Sequence, residues 1–170
     1  MARRVPWISD DAPPLVSSSV ALLSATVALV LTAVSTYTLA AGALGAVVAL
    51  VGFTRGSRGT HALGTALLAG SIVLAGMLGV APRFLLAAAC FALVSWDVGR
   101  NGFSIVAEVG SEAPTLRIEL LHAVSSTVVF ALGSSVGYAV FLTATGTQSV
   151  LALLALLVGS VALSIALQGE

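Results

Sequence analysis

The sequence predicts an all-α membrane protein, a single domain over residues 1–170 whose chain crosses the bilayer six times. Composition carries much of this prediction, because 58% of the residues are hydrophobic and only 8% are charged. An average soluble domain has about 25% charged residues. A soluble domain of this size would bury only about 70% of the surface of its unfolded chain. Much of the apolar surface would therefore stay in water, whereas a bilayer can act as its solvent.

The placement of charge predicts the individual spans. No residue with a formal charge lies between Ala12 and Thr54 or between Leu120 and Gly169. A helix needs about 20 residues to cross a hydrocarbon core about 30 Å thick, so each of these runs holds two spans and a tight turn. Pro82 favours the first turn of another helix. The predicted spans are residues 16–35, 39–53, 62–80, 82–103, 120–142 and 149–167, with an inner polar loop over residues 104–118.

Arginine placement predicts the orientation. All seven basic residues are arginine, and cytoplasmic segments of membrane proteins carry an excess of basic residues. With the N-terminus inside, only Arg83 falls on an outer turn, and the other six arginines fall on inner segments. Six spans return the chain to its starting side, so we expect both termini to be cytoplasmic in the cell membrane. The net charge of zero gives no indication of nucleic-acid binding.

Two weak patterns concern the packing of the spans. His61 and His122 open the third and fifth predicted spans, and each is followed by small residues. This similarity suggests three parallel helical hairpins, although such matches arise by chance in a chain so rich in alanine and glycine. Gly133 and Gly137 form a GxxxG element, which suits either packing within the bundle or a dimer interface.

Polar residues recur at the predicted inner ends of the fourth and fifth spans. Asp97 lies 14 residues after Arg83, about 21 Å along a helix, and so falls within the hydrocarbon. Residues three or four apart share a helix face, and an ionisable group at depth must face protein or water. We predict a polar cluster in which Asp97 pairs with Arg100. Its members are Asp97, Arg100, Asn101, Glu119 and His122.

This cluster has two interpretations. In one it binds a proton, an ion or a small solute, with Asp97 and Glu119 carrying exchangeable charge and His122 relaying protons. In the other it is a structural group of ion pairs that fixes the fourth and fifth helices together, while the arginines extend to the membrane surface.

Enzymatic and metal chemistry have little support in the sequence. There is no phosphate-binding loop, dinucleotide fingerprint, Gly-x-Ser-x-Gly element or zinc spacing. Glu119 and His122 match the Glu-x-x-His spacing of di-iron bundles, which use the motif in pairs, but only one copy is present. We predict a protein that is not an enzyme and needs no metal or cofactor.

The segment after the fourth predicted span has an apolar face. Phe103, Ile105, Val106 and Val109 fall on one side at helical spacing, with Glu108 among the residues opposite. Such a segment can form an amphipathic helix on the inner surface of the membrane. It lacks the basic face that anionic lipid favours, so a partner protein is as good an occupant as lipid. The alternative is a solvated connector, because two glycines and Pro114 weaken helix formation.

Residues 95–123 carry a resemblance to a known family. Ser95-Trp96-Asp97-Val98-Gly99-Arg100-Asn101 and Arg117-Ile118-Glu119-Leu120-Leu121-His122-Ala123 resemble elements of short haloarchaeal membrane proteins of unknown function. Those proteins place Trp-Asp-x-Gly-x-Asn before a polar loop and Arg-x-Glu-Leu-x-His-Ala at the start of the next span. The resemblance implies no activity. It implies a chaperone-like AAA ATPase as partner, and it implies that Asp97, Asn101, Glu119 and His122 act as one unit.

Together these observations predict a non-enzymatic membrane scaffold or accessory subunit, embedded in the lipid bilayer, whose cytoplasmic loop docks a partner. The alternative is a small transporter or channel that uses the polar cluster at the inner ends of helices four and five.

Overall fold

The computed structural model describes residues 12–110 and 114–143. The regular structure of these residues is entirely α-helical, and it comprises five helices long and apolar enough to cross a membrane. The all-α prediction is confirmed at this level, and the predicted sixth span lies outside the described residues. The helices are α1 (Leu15–Thr32), α2 (Thr36–Thr54), α3 (Arg58–Met77), α4 (Pro82–Val109) and α5 (Leu116–Thr143).

The chain divides into two compact units, Met1–Tyr138 and Ala139–Glu170. In the second unit the structure describes residues 139–143 only, which form the end of α5.

The turn between α1 and α2 lies three residues earlier in the chain than the predicted residues 36–38. Ser35 accepts a hydrogen bond from the Thr38 backbone N–H at 3.2 Å, and the Ser35 N–H donates to the Thr38 hydroxyl at 3.1 Å. This reciprocal pair is a capping box, which starts a helix. The polar residues 36–38, which separate the first two predicted spans, therefore begin α2 at Thr36, three residues before the expected start. The turn itself comprises residues 33–35.

Glycine and serine form the turn between α2 and α3. Gly56 has φ of 64°, a left-handed conformation that glycine adopts at no steric cost. Ser57 then caps α3 by accepting a hydrogen bond from the Thr60 N–H at 3.3 Å. As a result α3 begins at Arg58, four residues earlier than expected, and the arginine occupies its first helical position.

Helix α4 is longer than predicted. It begins at Pro82 and continues to Val109, where Gly110 with φ of 81° ends it. Its 28 residues correspond to about 42 Å, more than the thickness of a hydrocarbon core. Residues 104–109, which the sequence assigned to the inner polar loop, are a direct continuation of α4. Helix α5 begins at Leu116, so the connection between these two helices covers only residues 110–115.

Glycines allow α2 and α3 to approach each other closely. A Cβ atom at Gly64 would lie 2.3 Å from the Ala49 backbone nitrogen, and one at Gly45 would lie 2.8 Å from the Gly64 carbonyl oxygen. Only glycine fits such backbone contacts, which resemble the small-residue interfaces of membrane helices. The predicted GxxxG glycines, Gly133 and Gly137, have no described atom within 4 Å of such a Cβ position.

Small residues also line the interface between α1 and α4. The buried stripe of α1 includes Ala21, Ala25 and Ala28, and Ala25 and Ala28 share a core cluster with Ala92 of α4 and Leu68 of α3. The tightest neighbours among the described helices are thus α2 with α3 and α1 with α4. This differs from the predicted parallel hairpins, which would pair α1 with α2 and α3 with α4. The pairing follows the small residues, because they permit the closest backbone approach.

The starts of α1 and α3 lie against the later part of α4 at one end of the first unit. A Cβ at Gly102 would lie 2.9 Å from the Ser17 Cβ, so α4 passes the start of α1 at this point. The Arg58 guanidinium donates to the Phe103 carbonyl oxygen at 2.9 Å, so α4 passes the start of α3 at the same level. We call this the arginine-rich end, because Arg55, Arg58 and Arg100 lie there. Arg83, in the first turn of α4, lies at the opposite end.

Helix α5 is attached to the other helices through its first three turns. Its buried residues are Glu119, Ala123 and Ser126, which form one stripe. Ala123 belongs to a core cluster with Val94 and Val98 of α4. The described residues of α5 beyond Ser126 are not buried, and their apolar side chains form a surface suited to lipid or to another helix.

Candidate functional site

Glu119 has a buried carboxylate that binds the start of α1. Its side chain is 3% exposed. One oxygen, Oε2, accepts from the Ser17 backbone N–H at 2.9 Å and from the Ser17 hydroxyl at 2.8 Å. The other, Oε1, accepts from the Thr115 hydroxyl at 2.7 Å. Both carboxylate oxygens therefore have partners, which is what a buried charge requires.

The contact with Ser17 supplies α1 with a cap that its own sequence lacks. Residue Pro14 stands at the N-cap position and provides no side-chain hydrogen bond. The first N–H groups of a helix need acceptors, and its N-terminus carries a partial positive charge. Glu119 of α5 provides an acceptor and a negative charge together. The sequence placed Glu119 near the inner side but gave no indication of Ser17 or Thr115 as partners.

Asp97 and His122 form the second polar group. The His122 Nε2 lies 2.9 Å from Asp97 Oδ2, and the Ser126 hydroxyl donates to the same oxygen. The two ionisable side chains are 34% and 35% exposed, so they lie half-buried in the groove between α4 and α5. An imidazole beside a carboxylate can hold or release a proton, and the pair is an ionic one whenever His122 is protonated.

Arg100 does not join this group. It is exposed, and within the described residues it makes no hydrogen bond or ion pair. The predicted pairing of Asp97 with Arg100 is therefore wrong for this structure. Positions three apart on a helix differ by about 60° in direction, and α4 lies between α5 and α3. Asp97 faces α5, whereas Arg100 faces α3.

The five predicted cluster residues consequently occupy separate environments. Asp97 and His122 are brought together, Glu119 binds the start of α1 two turns away from Ser126, and Arg100 lines a pocket beside α3. Asn101 is half-buried and makes no side-chain hydrogen bond within the described residues. The cluster is thus two hydrogen-bonded groups along one face of α5, with the arginine directed elsewhere.

A pocket at the arginine-rich end contains a residue that sequence reasoning undervalued. His61 is 3% exposed, and its ring packs against Phe53 and Phe103 with centroid separations of 4.5 Å and 5.9 Å. A Cβ at Gly99 would lie 2.4 Å from His61 Nε2, so the ring occupies space that only glycine leaves free. Neither ring nitrogen makes a well-formed hydrogen bond among the described residues, and the backbone of Ser95 and Trp96 lies beside the ring.

An unpartnered buried polar group costs about 1–3 kcal/mol, so the environment of His61 requires an explanation. The sequence noted His61 only as the possible counterpart of His122 in a repeat. The two histidines differ in the structure, because His61 is enclosed by aromatic rings and His122 binds a carboxylate. The sequence feature that could have identified His61 is its position as the fourth residue of a helix that begins with Arg58.

A family model described as a family of unknown function, DUF7519, matches residues 11–164. The chain belongs to the DUF7519 family. This agrees with the expected membership of an uncharacterised family, whereas the haloarchaeal source and the two sequence elements remain predictions. No curated protein and no solved structure matches the chain.

The predicted partner-binding residues of this DUF7519 chain divide into two groups. Phe103 is 3% exposed and stacks on Phe53 at 5.7 Å, so it belongs to the core and not to an exposed apolar face. The expectation that Phe103 is exposed is wrong, because α4 continues through it and packs it against α2. Ile105 and Val106 are half-buried, and Val109 is 57% exposed.

The described part of this DUF7519 chain contains no cluster of side chains that could hold a metal ion. Among residues 12–110 and 114–143, no three side chains of histidine, cysteine, aspartate or glutamate come together as a possible site. The ionisable side chains that stand out among the described residues are the Asp97–His122 pair, the Glu119 carboxylate and the arginines of the pocket.

Proposed function

We propose that this protein is a non-enzymatic membrane subunit that docks a partner protein on its cytoplasmic side. The surface we assign to the partner is the end of α4 after Phe103, which we call the α4 arm (residues 104–109). The supporting observation is the length of α4. Because Gly102 lies level with the start of α1 and Phe103 level with the start of α3, the following six residues extend about 9 Å beyond both helix starts.

The base of the arm is held firmly. The Phe103 ring is enclosed by Phe53 and His61, and its carbonyl oxygen accepts a hydrogen bond from Arg58 at 2.9 Å. A helix fixed at its base presents its surface with little entropy left to lose, which favours binding. Val109 at the tip is an exposed apolar residue beside the exposed Glu108. Such a surface suits a partner that offers an apolar groove.

The proposal places the α4 arm on the cytoplasmic side of the membrane. The arm lies at the arginine-rich end, and basic residues mark the cytoplasmic side of membrane proteins. A soluble or membrane-bound cytoplasmic protein would therefore reach it. The family resemblance in residues 95–123 suggests a chaperone-like AAA ATPase as this partner.

The test compares two double valine-to-serine variants. Val106→Ser with Val109→Ser changes the arm, and Val136→Ser with Val140→Ser makes the same chemical change at exposed positions of α5. Burying a valine contributes about 1.5 kcal/mol or more, about tenfold in affinity for each residue. Proteins that co-purify with the tagged wild-type chain from native membranes should be lost with the arm variant and retained with the α5 variant.

The thermal melts of both variants in detergent should match the wild type, since neither pair is buried in the core. If the arm variant retains the same partners as the wild type, the docking proposal is wrong. A chain that carries no partner from native membranes under any mild solubilisation would also count against it.

The Asp97–His122 pair favours a second candidate, a small transporter. A half-buried carboxylate with an imidazole in a membrane domain is a possible proton or ion site. Transporter sites usually lie near the bilayer midplane on broken helices, whereas α4 and α5 are continuous here and the pair lies toward the inner end. Proton flux into vesicles that contain this protein alone, lost in Asp97→Asn, would support the transporter and displace the docking proposal.

A further inference from the structure

A pocket of about 170 Å³ lies between α3 and α4 at the arginine-rich end. Two of its six lining residues are arginines and none is acidic, so the charge that faces it is positive. The lining residues are Arg58, His61, Ala62, Trp96, Arg100 and Phe103. This pocket is separate from the α4 arm and from the Asp97–His122 pair, because it opens on the face of α4 toward α3.

Both arginines have guanidinium N–H groups that make no hydrogen bond within the described part of the chain. Arg58 uses one N–H on the Phe103 carbonyl oxygen, which fixes its guanidinium at the pocket. Arg100 makes no hydrogen bond or ion pair within the described part of the chain. A guanidinium presents a planar set of donors that matches the oxygens of a phosphate group. Two such groups around one small pocket form a receptor for a single oxyanion.

A further feature of the pocket agrees with an anionic ligand. The pocket lies at the start of α3, where the unpaired backbone N–H groups give the helix a partial positive charge. One of its walls is the ring of His61, which is 3% exposed and lies beside the backbone of Ser95 and Trp96. The partial positive charge of the helix start and the two guanidinium groups therefore face the same space.

We propose that this pocket binds the phosphate group of an anionic lipid headgroup at the inner membrane boundary. The size supports a single charged group, since sites for drug-sized ligands occupy roughly 300–1,000 Å³. The position supports a lipid source. Arg58 begins a membrane-spanning helix, and Trp96, which is 40% exposed, has the amphipathic ring typical of membrane interfaces. Free phosphate shares the binding chemistry and is distinguished by the experiment.

Trp96 lines the pocket and can report on binding. The chain has two tryptophans, so Trp7→Phe leaves Trp96 as the sole tryptophan, which can be excited selectively over the tyrosines. This variant of the full chain, purified in a neutral detergent, is titrated with dihexanoyl phosphatidylglycerol, with uncharged dihexanoyl glycerol and with sodium phosphate, at constant ionic strength. We expect a saturable change in Trp96 fluorescence with the phosphatidylglycerol and none with the uncharged lipid.

Arginine variants test the binding chemistry. Arg100→Gln should weaken binding about tenfold, because hydrogen bonds to charged groups are the stronger ones. Arg58→Gln should act similarly but also removes the contact with Phe103, so Arg100→Gln is the decisive variant. Arg83→Gln, at the opposite end, is the matched control and should bind as the parent does.

Saturation by the phosphatidylglycerol alone, with this dependence on Arg100, would establish the lipid headgroup as the ligand. Equal saturation by sodium phosphate with the same dependence would support the phosphate site and assign it to the free anion. The proposal is overturned if neither phosphate compound gives a saturable change, or if Arg100→Gln binds as tightly as Arg83→Gln.

Discussion

Glu119 performs at the start of α1 the role that a serine or aspartate usually performs within its own helix. The chain enters α1 through Pro14, which has no side-chain acceptor, and the carboxylate arrives from α5 instead. One side chain therefore connects two helices through Ser17 and Glu119, which are 102 residues apart in sequence. Because the carboxylate is buried and fully hydrogen-bonded, its removal leaves the Ser17 N–H and two hydroxyl groups without their acceptor.

We expect Glu119→Ala to lower the free energy of unfolding by about 2–4 kcal/mol, the sum of a lost helix cap and a lost charged hydrogen-bond acceptor. Thermal unfolding followed by circular dichroism in detergent measures this. Ser17→Ala should cost less and should cost almost nothing further in the Glu119→Ala background. Glu108→Ala, on the exposed arm, is the control. Equal effects of Glu119→Ala and Glu108→Ala would refute the capping role.

A double-mutant cycle can verify the partner of Asp97. Replacement of Asp97 and His122 by leucine, singly and together, should reveal a coupling of about 0.5–1.5 kcal/mol, typical of one hydrogen bond. The same cycle with Arg100 in place of His122 should give a coupling near zero, since Arg100 faces α3. A stronger coupling between Asp97 and Arg100 would restore the pairing inferred from sequence.

At the residue scale the sequence identified the polar positions but not their partners. Asp97, Glu119 and His122 stand out because charged residues are rare in this chain. Partners such as Ser17, Thr115 and Ser126 belong to residue types that are common throughout the spans, so nothing in their pattern marks them. The direction in which Arg100 points depends on which helices flank α4, and helix pairing is a property of the fold.

The helix boundaries are a second feature that the sequence predicted only in part. Hydropathy predicted every described helix but treated Ser35-Thr36-Tyr37-Thr38 as a turn, because polar β-branched residues interrupt an apolar run. The capping box made by Ser35 and Thr38 converts this patch into a helix start. Gly99 and Gly102 lie near the inner end of the predicted fourth span, although glycine is a weak helix former. They permit the close contacts with His61 and Ser17, and packing outweighs helix propensity there.

Two of the four glycines of α3, Gly64 and Gly70, provide a matched test of helix packing. A Cβ at Gly64 would meet the Ala49 backbone at 2.3 Å, whereas a Cβ at Gly70 would meet nothing within 4 Å. Gly64→Ala should therefore destabilise the protein by about 1–3 kcal/mol, the usual cost of overpacking. Gly70→Ala should be neutral or stabilising by up to about 1 kcal/mol, because alanine is the better helix former.

Thermal melts of these two variants measure the difference directly. If both alanines behave alike, the close approach of α2 and α3 is not required for stability.

At the scale of the whole molecule, the sequence predicted the class and the structure adds the organisation. Charge placement alone indicated a helical membrane protein with its arginines on one side. The described helices bring Arg55, Arg58 and Arg100 to one end and leave Arg83 at the other. The pairing of α1 with α4 could not be predicted, because small residues suitable for interfaces occur on every helix. The described chain thus has five helices that are long and apolar enough to cross a membrane, and one polar, arginine-rich end.

We propose that this arginine-rich end, with the α4 arm and the pocket between α3 and α4, faces the cytoplasm. Cysteine labelling in intact cells tests it most directly. The Cys90→Ala background removes the native thiol. Gly59→Cys then reports on the arginine-rich end, at an exposed position with open space around it, and Leu78→Cys reports on the opposite end, where Leu78 is 53% exposed. A membrane-impermeant maleimide should label Leu78→Cys in intact cells and should label Gly59→Cys only after the membrane is opened. Labelling of Gly59→Cys and not Leu78→Cys in intact cells would mean that the arginine-rich end faces outward, opposite to the proposed orientation.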